Sequence, residues 1–323
     1  MLKIGNFRLK SNLILAPMSG VTDLPFRTLN HRFGCELCFI EMINARCLGH
    51  KSKKTAQMLA TNEADKPLGV QLLGCEPAFI ERGMDVLNKY SFDILDFNAA
   101  CPERKVTRRG EGASLLKDPA KLHGLLRIVV KRSPVPVTVK IRTGWDKDCV
   151  NAPEVAKFCQ DAGVKAIFIH GRTKEQFYSG TVDYKTIGRV KKSVSIPVIG
   201  SGDVFSAQLA KKMFDETGCD GILIARGSFG NPWIFNEIKH FLETSKNLPR
   251  PGMEEIIRVM LEHLDSCIDF FGEKYGVVIF RKFFGWYTKG FKKIRPLREK
   301  VCRAKTKEQA VSVIKEICVP LCR

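Results

Sequence analysis

The chain has 323 residues, 44% of them hydrophobic, which exceeds the usual size of one core and leaves a large barrel with an appendage or two domains. Met1 to Arg8 alternate polar and apolar residues, and no apolar run approaches about 18 residues, so neither an export signal nor a membrane helix is expected and a soluble, cytoplasmic protein is. The 12 cysteines are scattered without a disulfide framework, which suits a reducing compartment. A formal charge of +19, from 53 Lys and Arg against 34 Asp and Glu, brings a polyanion into consideration without proving one, since a basic face can simply be solvated.

Short apolar runs bounded by turn residues recur along the chain. They lie at Leu13 to Ala16, Leu37 to Ile40, Leu68 to Leu73, Asp93 to Phe97, Val137 to Ile141, Ala166 to His170, Pro197 to Gly200 and Gly221 to Ala225. Helix starts fall between them: Asp23 before Pro25, Glu76-Pro77, Asp118-Pro119, Ala152-Pro153-Glu154, and Ser206 before Ala207. Runs such as Ala166-Ile167-Phe168-Ile169 are apolar throughout, as parallel strands buried on both faces are. A doubly wound sheet would share that trait. The count of eight, with polar residues at the strand ends, favours an α/β fold of the (β/α)₈ TIM-barrel class, in which those ends converge on one mouth.

The loop Ala99 to Leu116 is longer than its counterparts and carries Cys101, Lys105, Arg108 and Arg109, which predicts a mobile, phosphate-facing lid. After Trp233 one more helix is expected, then a breaker at Asn247 to Gly252, then helical periodicity to the end. The expected division is a catalytic barrel over residues 1–245 and an all-helical C-terminal domain over 246–323. Between Arg281 and Lys307 stand eleven Lys or Arg and one acid, Glu299, interleaved with Phe283, Phe284, Trp286, Tyr287 and Phe291. That pattern suits a helical module whose cations follow an RNA backbone while its aromatics form core.

The most informative stretch is Asn98-Ala99-Ala100-Cys101-Pro102, followed by Gly110-Glu111-Gly112-Ala113-Ser114-Leu115-Leu116. With Ala16-Pro17-Met18-Ser19-Gly20-Val21-Thr22-Asp23, Lys140-Ile141-Arg142-Thr143-Gly144-Trp145, His170-Gly171-Arg172-Thr173 and Gly200-Ser201-Gly202-Asp203, it resembles the tRNA-dihydrouridine synthases, and the bacterial B type in particular. The likeness runs over about residues 2 to 242. It departs from the family pattern at Ser201, where Asn is usual, at Ala225, where Gly is usual, and at Ala99-Ala100, where the B type has Met-Gly.

The resemblance implies an FMN enzyme that reduces the C5=C6 bond of particular uridines in RNA, most often tRNA with rRNA as a further candidate, acting as a monomer. NADPH is implied as reductant, and no Gly-x-Gly-x-x-Gly fingerprint follows a strand. Hydride would reach C6 of the uracil and a proton C5, and a thiol, mostly protonated at neutral pH, suits the second task. Cys101 is that donor, with Pro102 stiffening its turn. Lys140 and His170 would lie beside the flavin, the first as a cation tuning its reduced form. Gln71 would give its pyrimidine edge a bidentate amide contact. Pro17, Met18 and Ser19 complete the cofactor set, with Ser201, Gly202, Asp203, Ala225 and Arg226 at the phosphate, after strands seven and eight. Asn98, Lys105, Arg142 and Arg172 would face the RNA.

Other readings stay open on the residues alone. Cys35, Cys38, Cys47 and His31 raise a metal or cluster, although Cys38 lies within a strand run and no second close pair follows, so no metal is expected. An FMN barrel acting on a small pyrimidine, of the dihydroorotate or dihydropyrimidine dehydrogenase kind, would leave the basic tail without a purpose. A non-enzymatic RNA-binding barrel would leave the strand-end residues without one.

Overall fold

A computed structural model describes residues 1–49 and 53–318, so the last five residues of the expected helical region lie outside it. A hairpin, β1 (Leu2–Ile4) and β2 (Phe7–Leu9), opens the chain. There follow β3 (Leu13–Leu15), α1 (Leu24–Arg32), β4 (Leu37–Phe39), the short β5 (Ile43–Asn44) with α2 (Ala45–Leu48) and α3 (Lys53–Met58), then β6 (Leu68–Leu73), α4 (Pro77–Leu87) and β7 (Ile94–Ala99). The second half runs α5 (Arg104–Thr107), α6 (Pro119–Arg132), β8 (Val137–Arg142), α7 (Ala152–Asp161), β9 (Ala166–His170), α8 (Tyr184–Ser193), β10 (Val198–Ser201), α9 (Ala207–Thr217), β11 (Gly221–Ile224) and α10 (Ile234–Thr244).

Strands β3, β4 and β6 to β11 pair in parallel around a closed ring, with β11 on β3 and β4 on β6. These are the eight strands expected from sequence, and the TIM barrel is the fold. Helix starts follow the sequence signals: Asp23 caps α1 by accepting from the Phe26 amide, Asp118 accepts from Lys121 and Ser206 from Leu209. The hairpin was not foreseen; the alternation at Met1 to Arg8 is its two-residue period.

Period two also divides the barrel strands. Ile14, Leu37, Phe39, Ile94, Ala166, Phe168, Ile199 and Leu223 form an interior cluster with Leu2, Ile4 and Leu9 of the hairpin, whereas Leu13, Leu15, Cys38, Ile167 and Ile169 pack outward with the helices. Phe39 and Phe168 meet edge to face at 5.5 Å in the middle of that interior. The facing position on β6 is Gly69, where a Cβ would lie 2.2 Å from the Phe39 ring. Gly69→Ala should therefore cost about 1–3 kcal/mol through overpacking, read as a lowered urea midpoint with an unchanged slope.

Beyond α10 come a linker and α11 (Met253–Phe271), α12 (Glu273–Tyr287), α13 (Arg295–Arg303) and α14 (Lys307–Lys315). They share a continuous core with the barrel's outer layer. Phe26 of α1 stacks on Phe283 at 5.5 Å, and Phe229, after β11, stacks on Trp286 at 3.9 Å with the rings 9° apart. Gly230 (φ +64) lets the two backbones meet, since a Cβ there would lie 2.4 Å from the Trp286 carbonyl carbon. Lys282 donates to the Gly20 carbonyl in the loop after β3. The helical region thus sits on the loops that build the mouth.

Candidate active site

The interior positions that are apolar low in the barrel become polar one or two steps of two further along the same strands. Ile94 leads to Asp96 and Asn98, Phe168 to His170 and Ile199 to Ser201, while on β11 Leu223 is followed by the small Ala225. Register sets Gln71 beside Asp96, Asn98 beside Lys140, Arg142 beside His170 and His170 beside Ser201. Together with the loops above they line a cavity of about 660 Å³, a volume suited to a cofactor-sized ligand.

Of the residues that the resemblance assigns to catalysis, cofactor or RNA, all but Arg172 line that cavity, whereas Arg108 and Arg109 of the expected lid do not. Arg172 is 1% exposed and lies beside the mouth, with Nε and Nη2 on the Ser179 and Gly180 carbonyls and on Asp203 and with Nη1 3.5 Å from His170 Nε2. Arg142, also buried, gives Nε to the Ala100 carbonyl at 2.9 Å and Nη1 to the Thr173 and Phe177 carbonyls. Both arginines therefore hold mouth loops in place. The Gln71 amide is partly committed: Oε1 accepts from Asn98 at 2.7 Å and Nε2 donates to Asp96 at 2.7 Å, which leaves one N–H and one Oε1 lone pair for a ligand.

Asn98 continues that chain upward. Its Oδ1 accepts from the Ala100 and Cys101 amides at 3.0 and 2.9 Å, turning the backbone out of β7 so that Cys101 meets the cavity. Burial lifts the Cys101 thiol above the ordinary range, against the Glu103 amide and the positive field of Arg142 and Lys140. At neutral pH it carries its proton. The loop expected as a mobile lid is instead a packed segment, with α5 and a 3₁₀ turn at Gly112–Lys117 and with Val106, Glu111, Ala113, Leu115 and Leu116 buried.

At the foot of the chain, burial pushes Asp96 up to about 6, against hydrogen bonds from Gln71 and Thr138. This exceeds the unfolded value of about 3.9, so between about pH 4 and 6 the folded chain keeps a proton the unfolded chain releases, and stability falls as pH rises. Asp23, also raised to about 6 by burial, adds to the trend. Asp96→Asn should remove about 2–3 kcal/mol of this pH-dependent loss, seen as a smaller drop in urea stability between pH 4 and 7 than in the parent.

Lys140 has no hydrogen-bond partner among the described residues, and burial, then Arg142, lowers its ammonium to about 8, so it remains a cation at pH 7. His170 is held neutral, its pKa pressed well down by burial and then by Lys140, Arg142, Arg172 and Arg226. Near the ends of β10 and β11, Asp203 (φ +48) joins Arg172 and Arg226. Gly202 and Gly227 are close-packed there: a Cβ would lie 2.8 Å from Val182 and 2.0 Å from the Val204 carbonyl oxygen.

Sequence reasoning missed two rim aromatics, Tyr178 and Phe205, 51% and 47% exposed. The Arg226 guanidinium lies between them, 5.1 and 5.4 Å from their rings. A large aromatic in a loop just past a barrel strand was the available signal. Cys35 and Cys38 are buried with sulfurs 3.5 Å apart, Cys47 is exposed, and no group of three potential metal ligands converges among the described residues. No helix among them is long and apolar enough to cross a membrane.

The pattern of the family described as dihydrouridine synthase (Dus) matches residues 14–320, through the barrel and the helical region alike. The chain belongs to that family. Its sequence is 41% identical over 291 residues to a probable tRNA-dihydrouridine synthase of Rickettsia bellii, covering 90% of this chain and 89% of the relative. It is 42% identical over 285 residues to tRNA-dihydrouridine synthase B of Pseudomonas aeruginosa, covering 88% and 86%. Among solved structures it is similar to the old yellow enzyme homologue of Zymomonas mobilis, with TM-score 0.54 and 14% identity over 79% of this chain and 94% of that one. Histamine dehydrogenase of Rhizobium sp. aligns with TM-score 0.58 and 13% identity, over 82% of this chain and 50% of the other. At such identities the likeness is one of fold.

Proposed function

We propose that this chain reduces the C5=C6 bond of uridines in tRNA to dihydrouridine, with FMN as bound cofactor and NADPH as reductant. Cys101 at the cavity wall, protonated and held by Asn98, is the observation that carries the reading. The balance is uridine, NADPH and a proton giving dihydrouridine and NADP⁺.

The cavity fits the cofactor. An unpaired ammonium at Lys140 and a neutral imidazole at His170 stand on its inner wall, suited to the polar edge of an isoalloxazine ring. Ser201, Gly202 and Ala225 form an end of small residues, with Arg226 beside it held by Asp203, which also meets Arg172; the two guanidinium groups outweigh the one carboxylate, which suits a phosphate. Ser201 and Ala225, which depart from the family pattern, line this end and keep it small. Bound there, FMN would supply the hydride that adds to C6.

Cys101 then gives its thiol proton to C5 and recovers one from water. Asn98 fixes the backbone that carries it, and Arg142 fixes the Ala100 carbonyl from below. Tyr178 and Phe205, the rim aromatics on either side of Arg226, receive the polynucleotide, whose target base leaves its stack to enter the cavity. The exposed lysines of α12 to α13 carry the rest of the RNA. Nucleoside mass spectrometry of unmodified tRNA and rRNA, incubated with flavin-loaded protein and NADPH, tests this. Dihydrouridine in tRNA is the expected result; none from any RNA with flavin present would overturn it.

A further inference from the structure

Glu111 is a fully buried carboxylate within the loop that carries Cys101, and the chemistry above gives it no task. Both its oxygens accept from Asn44 Nδ2, at 2.9 and 3.0 Å, and Oε2 also accepts from Arg109 Nε at 3.1 Å. Asn44 closes β5, and its Oδ1 accepts from the Arg46 amide at 2.9 Å to cap α2, so the donor is itself fixed. One residue past Glu111, Gly112 (φ +60) runs close beside Cys101: a Cβ there would lie 2.7 Å from the Cys101 carbonyl oxygen and 3.0 Å from Cys101 Cβ. Ala113 then donates its amide to that same carbonyl at 3.0 Å.

Burying a carboxylate is costly unless it is fully hydrogen-bonded, and an apolar side chain would fill this space with less expense. A hydrogen-bonded acid fixes direction as well as volume. Asn98 holds Cys101 from the strand side, and the Asn44–Glu111 pair holds it from the loop side through Gly112.

We propose that Glu111, clamped by Asn44, is a positioning residue that sets where the Cys101 thiol points, without itself meeting the substrate. The inference rests on Cys101 being the proton donor. An error of about 1 Å in a reacting group can cost on the order of 100-fold in rate, so a clamp outside the cavity can govern the step. Flavin reduction by NADPH does not use the thiol and should be indifferent to it.

The test follows flavin reduction by NADPH and reoxidation by tRNA in stopped flow, from pH 5.5 to 8.5. The proteins are flavin-loaded full chains: parent, Asn44→Asp, Glu111→Gln, the double variant and Cys101→Ala. Asp at 44 keeps the helix cap but sets two carboxyls face to face; they can share a proton at low pH and repel when both ionise. Arg109 also faces the pair, and Cys75 feels Glu111 along with Lys121, Glu76 and Arg46, all of them present in every variant. Asn44→Asp should therefore reoxidise about 10-fold to 100-fold more slowly at pH 8 than the parent and recover towards pH 5.5. Adding Glu111→Gln restores a donor facing an acceptor with the polarity reversed, and should return the rate to within about threefold of the parent.

Flavin reduction should be the same in all five. A parent-like rate and flat pH profile in Asn44→Asp, a double variant as slow as the single one, or reduction slowed as much as reoxidation would each overturn the clamp. Should Asn44→Asp not fold, Asn44→Ala, which takes the donor away from Glu111, decides in its place: reoxidation slowed with flavin reduction unchanged is expected, and a parent-like rate would overturn the clamp. If Cys101→Ala reoxidises normally, the proton-donor reading fails; if it is slow while Asn44→Asp is normal, the clamp alone fails.

Discussion

Cys101→Ala should lower dihydrouridine formation by about 10²- to 10⁴-fold, the range that a positioned general acid contributes, while flavin content and NADPH oxidation by a small acceptor stay unchanged. The split follows from where the residue stands. Cys101 lies on the loop past β7, whereas the cations and the phosphate end belong to β8 to β11, so removing the thiol leaves the cofactor's surroundings intact. The pH profile gives a second check. An ordinary thiol loses its proton near about 8.5, but burial raises this one, so the proton-transfer step should hold its rate to a higher pH than an exposed thiol permits. Cys101→Ser, a far weaker acid, should be slow at every pH. A parent-like rate in Cys101→Ala would move the donor to Lys140, the other titratable donor on the inner wall whose proton is within reach at neutral pH.

Much of this site could be read before the fold was known, because barrel strands impose one rule on many residues. Ile94, Asp96 and Asn98 share a parity, as do Phe168 and His170, so an interior apolar residue low on a strand names the cavity residue above it. What sequence does not encode locally is who takes each hydrogen bond. Gln71 looks like a free amide at a strand end, yet Asp96, its neighbour in register, and Asn98, two residues further along β7, each bond one end of it. Arg172 and Arg142 look like free mouth cations and also act as loop supports, since buried guanidinium groups must satisfy five donors and the nearest acceptors include loop carbonyls. Glu111 shows the same limit from the other side. Its partner Asn44 is 67 residues away, and a glutamate in a Gly-Glu-Gly stretch reads as a solvated turn.

Charge in the helical region was legible in amount but not in allocation. Of the eleven cations between Arg281 and Lys307, Arg281 is tied to the Ala304 carbonyl, Arg298 to the Gly285 and Thr288 carbonyls, and Lys282 to Gly20 of the barrel. Arg295, Lys300 and Lys307 face Glu299, Glu316 and Asp265. Among the described residues that leaves Lys289, Lys292, Lys293, Arg303 and Lys305 without an ion-pair partner, the first three exposed in the turn between α12 and α13. Because Trp286 of α12 stacks on Phe229 at the cavity edge, this turn follows directly on the part of α12 packed against the mouth. Replacing Lys289, Lys292 and Lys293 with Gln should therefore weaken tRNA binding by about one to two powers of ten at 0.1 M salt, and reduce the slope of log affinity against log salt by about 2–3, as three lost phosphate contacts require. Flavin content and thermal stability should not move, since the three side chains are exposed and bear no packing. A filter-binding series across salt concentrations distinguishes the outcomes: an unchanged slope would place the RNA elsewhere on the molecule, with Lys105 at the cavity as the next basic contact to replace.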